Sequence, residues 1–182
     1  MSYSFVRRAA IAAAALPLLL AGCTDDDPVP QIPDPTTPSP TASETTAPPE
    51  PWEAQTEDGA IAFAEHWIDL LNAARLDETG TEGITDASTP QCASCSNIAQ
   101  IIDGWQSDGI AYKSKPWTIE QVAVISSEPK EARVGLRILR PREMLTESDG
   151  SVVRKDASRA TYAATLEWRS GSWLMHELVI PE

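Results

Sequence analysis

The 182-residue chain has little from which to build reactive or nucleic-acid chemistry: three Cys, two His, two Phe, three Tyr, and 14 Lys and Arg against 27 Asp and Glu. A phosphate backbone is held by a basic face, and a chain of formal net charge −13 does not supply one, so no nucleic-acid partner is expected. Two His and three Cys are too few for an elaborate metal site, and no metal or cofactor is expected. A long hydrophobic run is also lacking. The longest, residues 9–20, falls short of the roughly 20 apolar residues that span a bilayer and contains Pro17, which argues against a permanent transmembrane helix. Proline is abundant, at 15 residues, and unevenly placed. The folded domain is therefore expected to be shorter than the chain.

Residues 1–22 divide into the parts of an export signal: Arg7 and Arg8, the apolar run, then the small pair Ala21-Gly22. Ala10 stands where a twin-arginine signal usually has Phe, which favours general secretion. Leu20-Ala21-Gly22-Cys23 resembles the lipobox of bacterial lipoproteins. That resemblance implies cleavage before Cys23, a diacylglyceryl group on its thiol, and an extracytoplasmic domain held to the cell membrane. An ordinary cleaved signal with an incidental Cys is the alternative. Several acyl chains, at about 0.8 kcal/mol per buried CH₂, hold a soluble domain on a membrane almost permanently. Without its first 22 residues the chain keeps 12 basic and 27 acidic residues, a net −15, so lipid rather than charge must anchor it.

Residues 24–51 hold nine Pro, six Thr and two Ser, with almost no large apolar residue. Such a segment cannot bury enough surface to offset chain entropy, and with the acylated Cys the stretch 23–51 reads as a disordered stalk. In polyproline II, at about 3.1 Å per residue, it reaches up to roughly 85 Å. A spacer is the simpler role, and a proline-motif ligand is the alternative. The domain is expected over residues 52–182, which contain all six Trp. Ala60, Phe63, Ala64, Trp67, Leu71 and Ala74 recur at three- and four-residue spacing and predict a long amphipathic helix, capped by Thr56 or Asp58 and broken after Leu76. After a polar loop, Ile98, Ile102 and Trp105 predict a second helix ending before Asp108-Gly109. The period then changes to two. Strands are expected over 117–127 and 132–139, with Val134, Leu136 and Ile138 on one face and Arg133 and Arg137 on the other. Two more, around Tyr162–Trp168 and 173–180, are joined by the tight turn Ser170-Gly171-Ser172. Helices first and antiparallel strands after make the fold class α+β, with the N-terminal helices packed on a bent antiparallel sheet, a cone-like roll.

The helix with Ala60-x-x-Phe63-Ala64-x-x-Trp67, the second helix, and a sheet ending in Glu167-Trp168-Arg169-Ser170-Gly171-Ser172-Trp173 resemble the nuclear transport factor 2-like, cystatin-like cone fold. With the lipobox, the Pro/Thr stalk and the Cys-x-x-Cys between helices, the chain is similar to a family of actinobacterial lipoproteins of unknown function. The resemblance implies a surface location and this fold. It implies no activity, because the fold hosts enzymes and non-enzymes alike.

Cys92 and Cys95 are the sharpest local pair. In an oxidising compartment they are expected to form a disulfide that fixes the chain where it enters the second helix. A thioredoxin-like redox pair is the rival, but it belongs in a βαβ unit and none is visible. His66 and Asp69, at i,i+3 spacing, form a candidate general base with an orienting carboxylate, although a boundary hydrogen bond explains them as well. His176 is a candidate to point into a cone pocket, with Glu177 on the opposite face. Tyr112, Tyr162, Asp103 and the Trp residues are candidates to line it. Core packing accounts for the periodic Trp residues without a ligand. Arg133, Arg137, Arg140 and Arg142 form a stripe that Glu143, Glu147 and Glu167 are placed to neutralise.

No catalytic residue is assigned. The leading reading is a non-catalytic binding or interaction module with an envelope protein as candidate partner. A pocket for a small apolar ligand, or an isomerase- or hydrolase-like enzyme using His66 and Asp69 or His176, are the alternatives. Replacing Cys23 by Ser is expected to move most of the exported chain from the membrane fraction to the soluble fraction. Retention of that variant on membranes washed at high salt and high pH would contradict the lipid anchor.

Overall fold

A computed structural model describes residues 50–76 and 78–181. The expected export signal, Cys23 and all but the end of the expected stalk lie outside the described residues. Pro51–Glu53 form a single 3-10 turn, which takes the last of the stalk prolines into ordered structure. Helix α1, Glu57–Arg75, starts where the Thr56 hydroxyl accepts from Gly59 N, at 3.0 Å. It buries the expected stripe of Phe63, Ala64, Trp67, Leu71 and Ala74. A short helix α2, Glu82–Asp86, precedes α3, Ala93–Ser107.

Seven strands follow: β1 Ala111–Lys113, β2 Thr118–Glu128, β3 Glu131–Arg140, β4 Glu143–Thr146, β5 Val152–Lys155, β6 Ser158–Arg169 and β7 Ser172–Val179. They make two antiparallel sheets, one in the order β2-β3-β6-β7 and a smaller one in the order β1-β4-β5. The β6–β7 hairpin turns on Ser170 (φ 52°) and Gly171 (φ 90°). Two consecutive positive φ angles define the type I′ turn, which matches strand twist. Along β3, Ala132, Val134, Leu136 and Ile138 are buried and Arg133 and Arg137 exposed, as the period of two predicts. These side chains meet Trp67, Ile68 and Leu71 of α1, Leu166 of β6, and Trp173 and Met175 of β7 in one core. The architecture is α+β, with helices packed against antiparallel sheet.

The free edge of β7 is covered by the segment between α2 and α3. Met175 N donates to Ala87 O at 2.9 Å, and Thr89 N donates to Met175 O at 2.8 Å. Trp67 Nε1 donates to Ser88 Oγ at 3.1 Å, so the core helix holds the same segment from below. This pairing removes an edge that would otherwise invite another strand.

The region expected to be a polar loop contains α2, and the chain between β3 and β6 contains β4 and β5. Both departures have one cause. Five residues of helix or four of strand are too few to show a period, and every residue of β5 is exposed.

Gly59 lies within the first turn of α1, where a Cβ would overlap the Ala54 carbonyl oxygen and approach the carbonyl carbon to 2.9 Å. That oxygen accepts from Trp173 Nε1 and from Thr56 N, each at 2.9 Å, so it cannot yield. Helix propensity favours Ala over Gly by about 1 kcal/mol. Gly59→Ala is nevertheless expected to destabilise the fold by about 1–3 kcal/mol in urea unfolding, the usual cost of overpacking.

Candidate functional site

The 3.6-residue period that buries Trp67 and Leu71 also turns Arg75, the last residue of α1, towards the interior, where it is 6% exposed. A guanidinium there needs a counter-charge. Glu143, the first residue of β4, supplies it: it is 5% exposed, and its Oε1 lies 2.8 Å from Arg75 Nη2. The same Nη2 donates to the Tyr112 hydroxyl of β1. Trp117 Nε1 donates to Glu143 Oε1 at 3.2 Å. The Arg75 and Arg140 guanidinia lie 4.3 and 4.9 Å from the Trp117 ring centroid. Arg140 reaches the second Glu143 oxygen more loosely, at 3.9 Å.

One helical turn before Arg75, Asn72 holds Trp117 in place from both sides. Its Nδ2 donates to Trp117 O at 3.0 Å, and its Oδ1 accepts from Trp117 N at 2.8 Å. Trp105, near the end of α3, stacks on Tyr112 with centroids 4.6 Å apart and rings 8° from parallel. Burial pulls the Arg75 guanidinium below its ordinary pKa, and the Tyr112 and Glu143 contacts oppose that pull. Burial also raises the Tyr112 phenol, so it remains a neutral hydroxyl.

Two clefts open beside this network and share Arg75, Ile102 and Trp105. One, of about 180 Å³, runs between α1 and α3 past Ile98, Trp117 and Arg140. The other, of about 560 Å³, runs past Ala74 and Tyr112. Among the described residues, Arg75 Nη1 and Arg140 Nε are buried without a hydrogen-bond partner. Buried guanidinium N–H groups are normally paired.

The residues singled out from the sequence fall in several places. Tyr112 belongs to the cleft, and Tyr162 stands behind it, buried, its ring 5.9 Å from that of Trp117. His66 stacks on Trp52 at 4.1 Å, away from any cleft, and Asp69 is exposed on the same helix. His176 does not point into a cone pocket. A register shift in the β6–β7 pairing lies beside it, and its Nδ1 sits 3.1 Å from both Glu167 Oε1 and Thr89 Oγ1. Glu167 follows buried Leu166, so the pair lies on the far face of the sheet. Asp103 is exposed and accepts from the Thr81 hydroxyl at 2.9 Å.

Three of the four arginines of the stripe, Arg137, Arg140 and Arg142, lie within 4 Å of a carboxylate, and of the acids expected only Glu143 is among their partners. Glu120 of β2 meets Arg159 at 2.9 Å and Arg137 at 3.7 Å, and Asp156 meets Arg142 at 3.4 Å. Glu167 turns instead to Arg169 and His176. The sulfurs of Cys92 and Cys95 are at disulfide-bonding distance, with Cα atoms 5.3 Å apart and side chains 0% and 2% exposed. So deep a pair offers no approach for thiol exchange. Among the described residues no group of His, Cys, Asp and Glu is placed to hold a metal ion, and no helix is long and apolar enough to cross a membrane.

Arg75 and Asn72 were not anticipated at a site. Trp117 was anticipated only as one of the Trp candidates, and Glu143 only as a neutraliser of the arginine stripe. Arg75 had a signal, because it stands four residues after Leu71 on the buried stripe.

The fold and site together define an α+β roll with a cleft at the junction of helix and smaller sheet. Residues 34–178 match the family of unknown function DUF6318, and the chain belongs to that family. No curated protein matches it in sequence. The intermembrane space region of the chloroplast protein ARC6 has a similar fold, with a TM-score of 0.52 and 12% identity over 70% of this chain and 97% of that one. The beta subunit of benzoate 1,2-dioxygenase from Burkholderia mallei aligns at a TM-score of 0.47, with 9% identity over 70% and 90% of the two chains. Aln2 from a Streptomyces species aligns at 0.43, with 12% identity over 66% and 85%. At such identities the likeness concerns the fold alone.

Removing one member of a buried ion pair leaves the other uncompensated and typically costs about 3–5 kcal/mol. Arg75→Met is expected to show a loss of that size in urea unfolding. The double variant Arg75→Met/Glu143→Leu is expected to lose distinctly less than the sum of the two single variants, and strict additivity would show that the pair is not coupled.

Proposed function

We propose that the chain is an extracytoplasmic lipoprotein, tethered through Cys23 and a Pro/Thr stalk. On this reading its domain is a non-catalytic binding module that takes a small amphipathic molecule in the cleft between α1 and α3. The observation that carries the binding reading is the pair of clefts around Arg75. Ile102 and Trp105 wall both, Ile98 and Trp117 wall the smaller one, and Arg75 borders each. Apolar walls with a small number of fixed polar groups are the usual make-up of a small-molecule site.

Two further arrangements support binding over catalysis and over a charged protein-docking stripe. Glu143, the one carboxylate at the smaller cleft, is held by Arg75, whereas the two His residues lie on other surfaces. A general base has to reach the proton it removes, and neither His reaches the cleft. Arg137 and Arg159 share Glu120, so the stripe on β3 presents less charge than its sequence suggests.

The test uses the full chain carrying Cys23→Ser, which leaves every described residue unchanged. A panel of eight-carbon amphiphiles, anionic, neutral and cationic, is titrated during thermal unfolding. At ten times its dissociation constant a ligand adds about 1.4 kcal/mol, a rise of roughly 4–6 °C for a domain of this size. At least one member is expected to give that rise, and the additional substitution Ile98→Phe, which fills the cleft, is expected to abolish it. A panel that leaves the melting temperature unmoved, or an undiminished rise in the filled variant, would remove the cleft as a binding site.

A further inference from the structure

The cleft beside α3 has a charge that runs against the rest of the chain. Arg75, Arg140 and Lys155 line it together with one acid, Glu143, a local surplus of two positive charges in a chain of net −13. Glu143 is already engaged by Arg75 Nη2, Trp117 Nε1 and, loosely, Arg140. What remains unmet is specific: Nη1 of Arg75, a side chain only 5% exposed, and Nε of Arg140. These are N–H donors with no acceptor, and a guanidinium cannot relieve the deficit by losing its proton. Each of these nitrogens has under 1 Å² of accessible surface, so an anion in the cleft meets the surplus charge of Arg75, Arg140 and Lys155 rather than those two atoms.

The remaining lining is apolar. Leu71, Ile98, Ile102 and Trp105 form the walls, and Ile101, 46% exposed, stands at the opening. A volume of about 180 Å³ corresponds to about six water molecules at their liquid volume of roughly 30 Å³ each. The space therefore suits a small head group and a few methylene groups, with the rest of a chain leaving past Ile101.

On the reading that this cleft binds a ligand, we infer that the ligand is a small amphipathic carboxylate. Its head lies against the positive wall formed by Arg75, Arg140 and Lys155, and its apolar tail lies along Ile98, Ile101 and Trp105. A single negative head group offsets part of the surplus of two positive charges. A phosphate, with more acceptor oxygens and greater charge, would leave oxygens facing leucine and isoleucine without donors.

The experiment measures binding of octanoate, octan-1-ol and octylammonium to the full chain carrying Cys23→Ser, by calorimetry and Trp fluorescence. Octanoate is expected to bind at least tenfold more tightly than octan-1-ol, and octylammonium more weakly than either. Arg140→Gln is expected to lower octanoate affinity at least tenfold and abolish its preference over the alcohol. Arg133→Gln, on the exposed face of β3, leaves the preference intact. If Arg140→Gln fails to fold, Lys155→Glu on exposed β5 takes its place, with octanoate affinity expected to fall at least threefold. Equal affinity for octanoate and octan-1-ol, or preference for the ammonium, overturns the carboxylate inference and leaves the cleft reading standing. Binding of none of the three overturns both.

Discussion

The buried ion pair between Arg75 and Glu143 is the constraint on which the arrangement of the smaller sheet depends. Across β1, β4 and β5, Glu143 is the single buried residue among those described. A sheet normally fastens to its core through an apolar face, and here that face is nearly absent. The attachment is electrostatic instead: one carboxylate of β4 is drawn to the guanidinium at the end of α1, and Tyr112 of β1 joins the same nitrogen. Taking two charges out of water costs several kcal/mol per ion unless geometry and extra hydrogen bonds compensate. The Trp117 indole N–H and the Tyr112 hydroxyl are those extra bonds, and the Trp117 face stabilises both nearby guanidinia by cation–π attraction.

An anchor made of charge has a consequence that an apolar anchor lacks. Leucine packed against leucine fills space and leaves nothing unsatisfied. An arginine carries five N–H donors in a fixed fork, and one glutamate shared with a second arginine cannot meet all of them. The opening beside α3 and the unpaired nitrogens thus have one origin: the device that holds the smaller sheet is also what lines the cleft. Asn72 matters for the same reason. By binding both the N–H and the carbonyl of Trp117, it sets the aromatic floor against which the two arginines lie.

Periodicity made most of the fold legible in the sequence. The α1 stripe, the Ile98, Ile102 and Trp105 face of α3, the two faces of β3 and the Ser-Gly hairpin all follow from local rules that the structure obeys. What was not legible depends on partners far apart in the chain. Arg75 and Glu143 are separated by 68 positions, and Asn72 and Trp117 by 45. Nothing local distinguishes Glu143 from the exposed acids around it. Conversely, His66 and Asp69 had the right spacing for acid–base chemistry but lie on a helix flank where Trp52 covers the imidazole. His176 was misplaced because alternation along β7 does not survive the register shift opposite Thr165 and Leu166.

The scarcity of positive charge, which argues against a nucleic-acid partner, does not oppose a site for an anion. Exposed charges separated by more than about 8 Å are largely screened at physiological ionic strength. Twenty of the 27 acids lie in residues 24–131 against four basic residues there, whereas residues 132–182 carry eight basic and seven acidic. The few positive groups of the chain are concentrated in the strands that contribute Arg140 and Lys155, and the buried Arg75 joins them from the helical half. Within the cleft the dielectric is low and the screening weak, so the local surplus outweighs the distant one. The acidic surface instead disfavours adhesion to anionic lipid, so on the proposed lipoprotein reading a tether would hold the domain near a membrane without pressing its cleft against it.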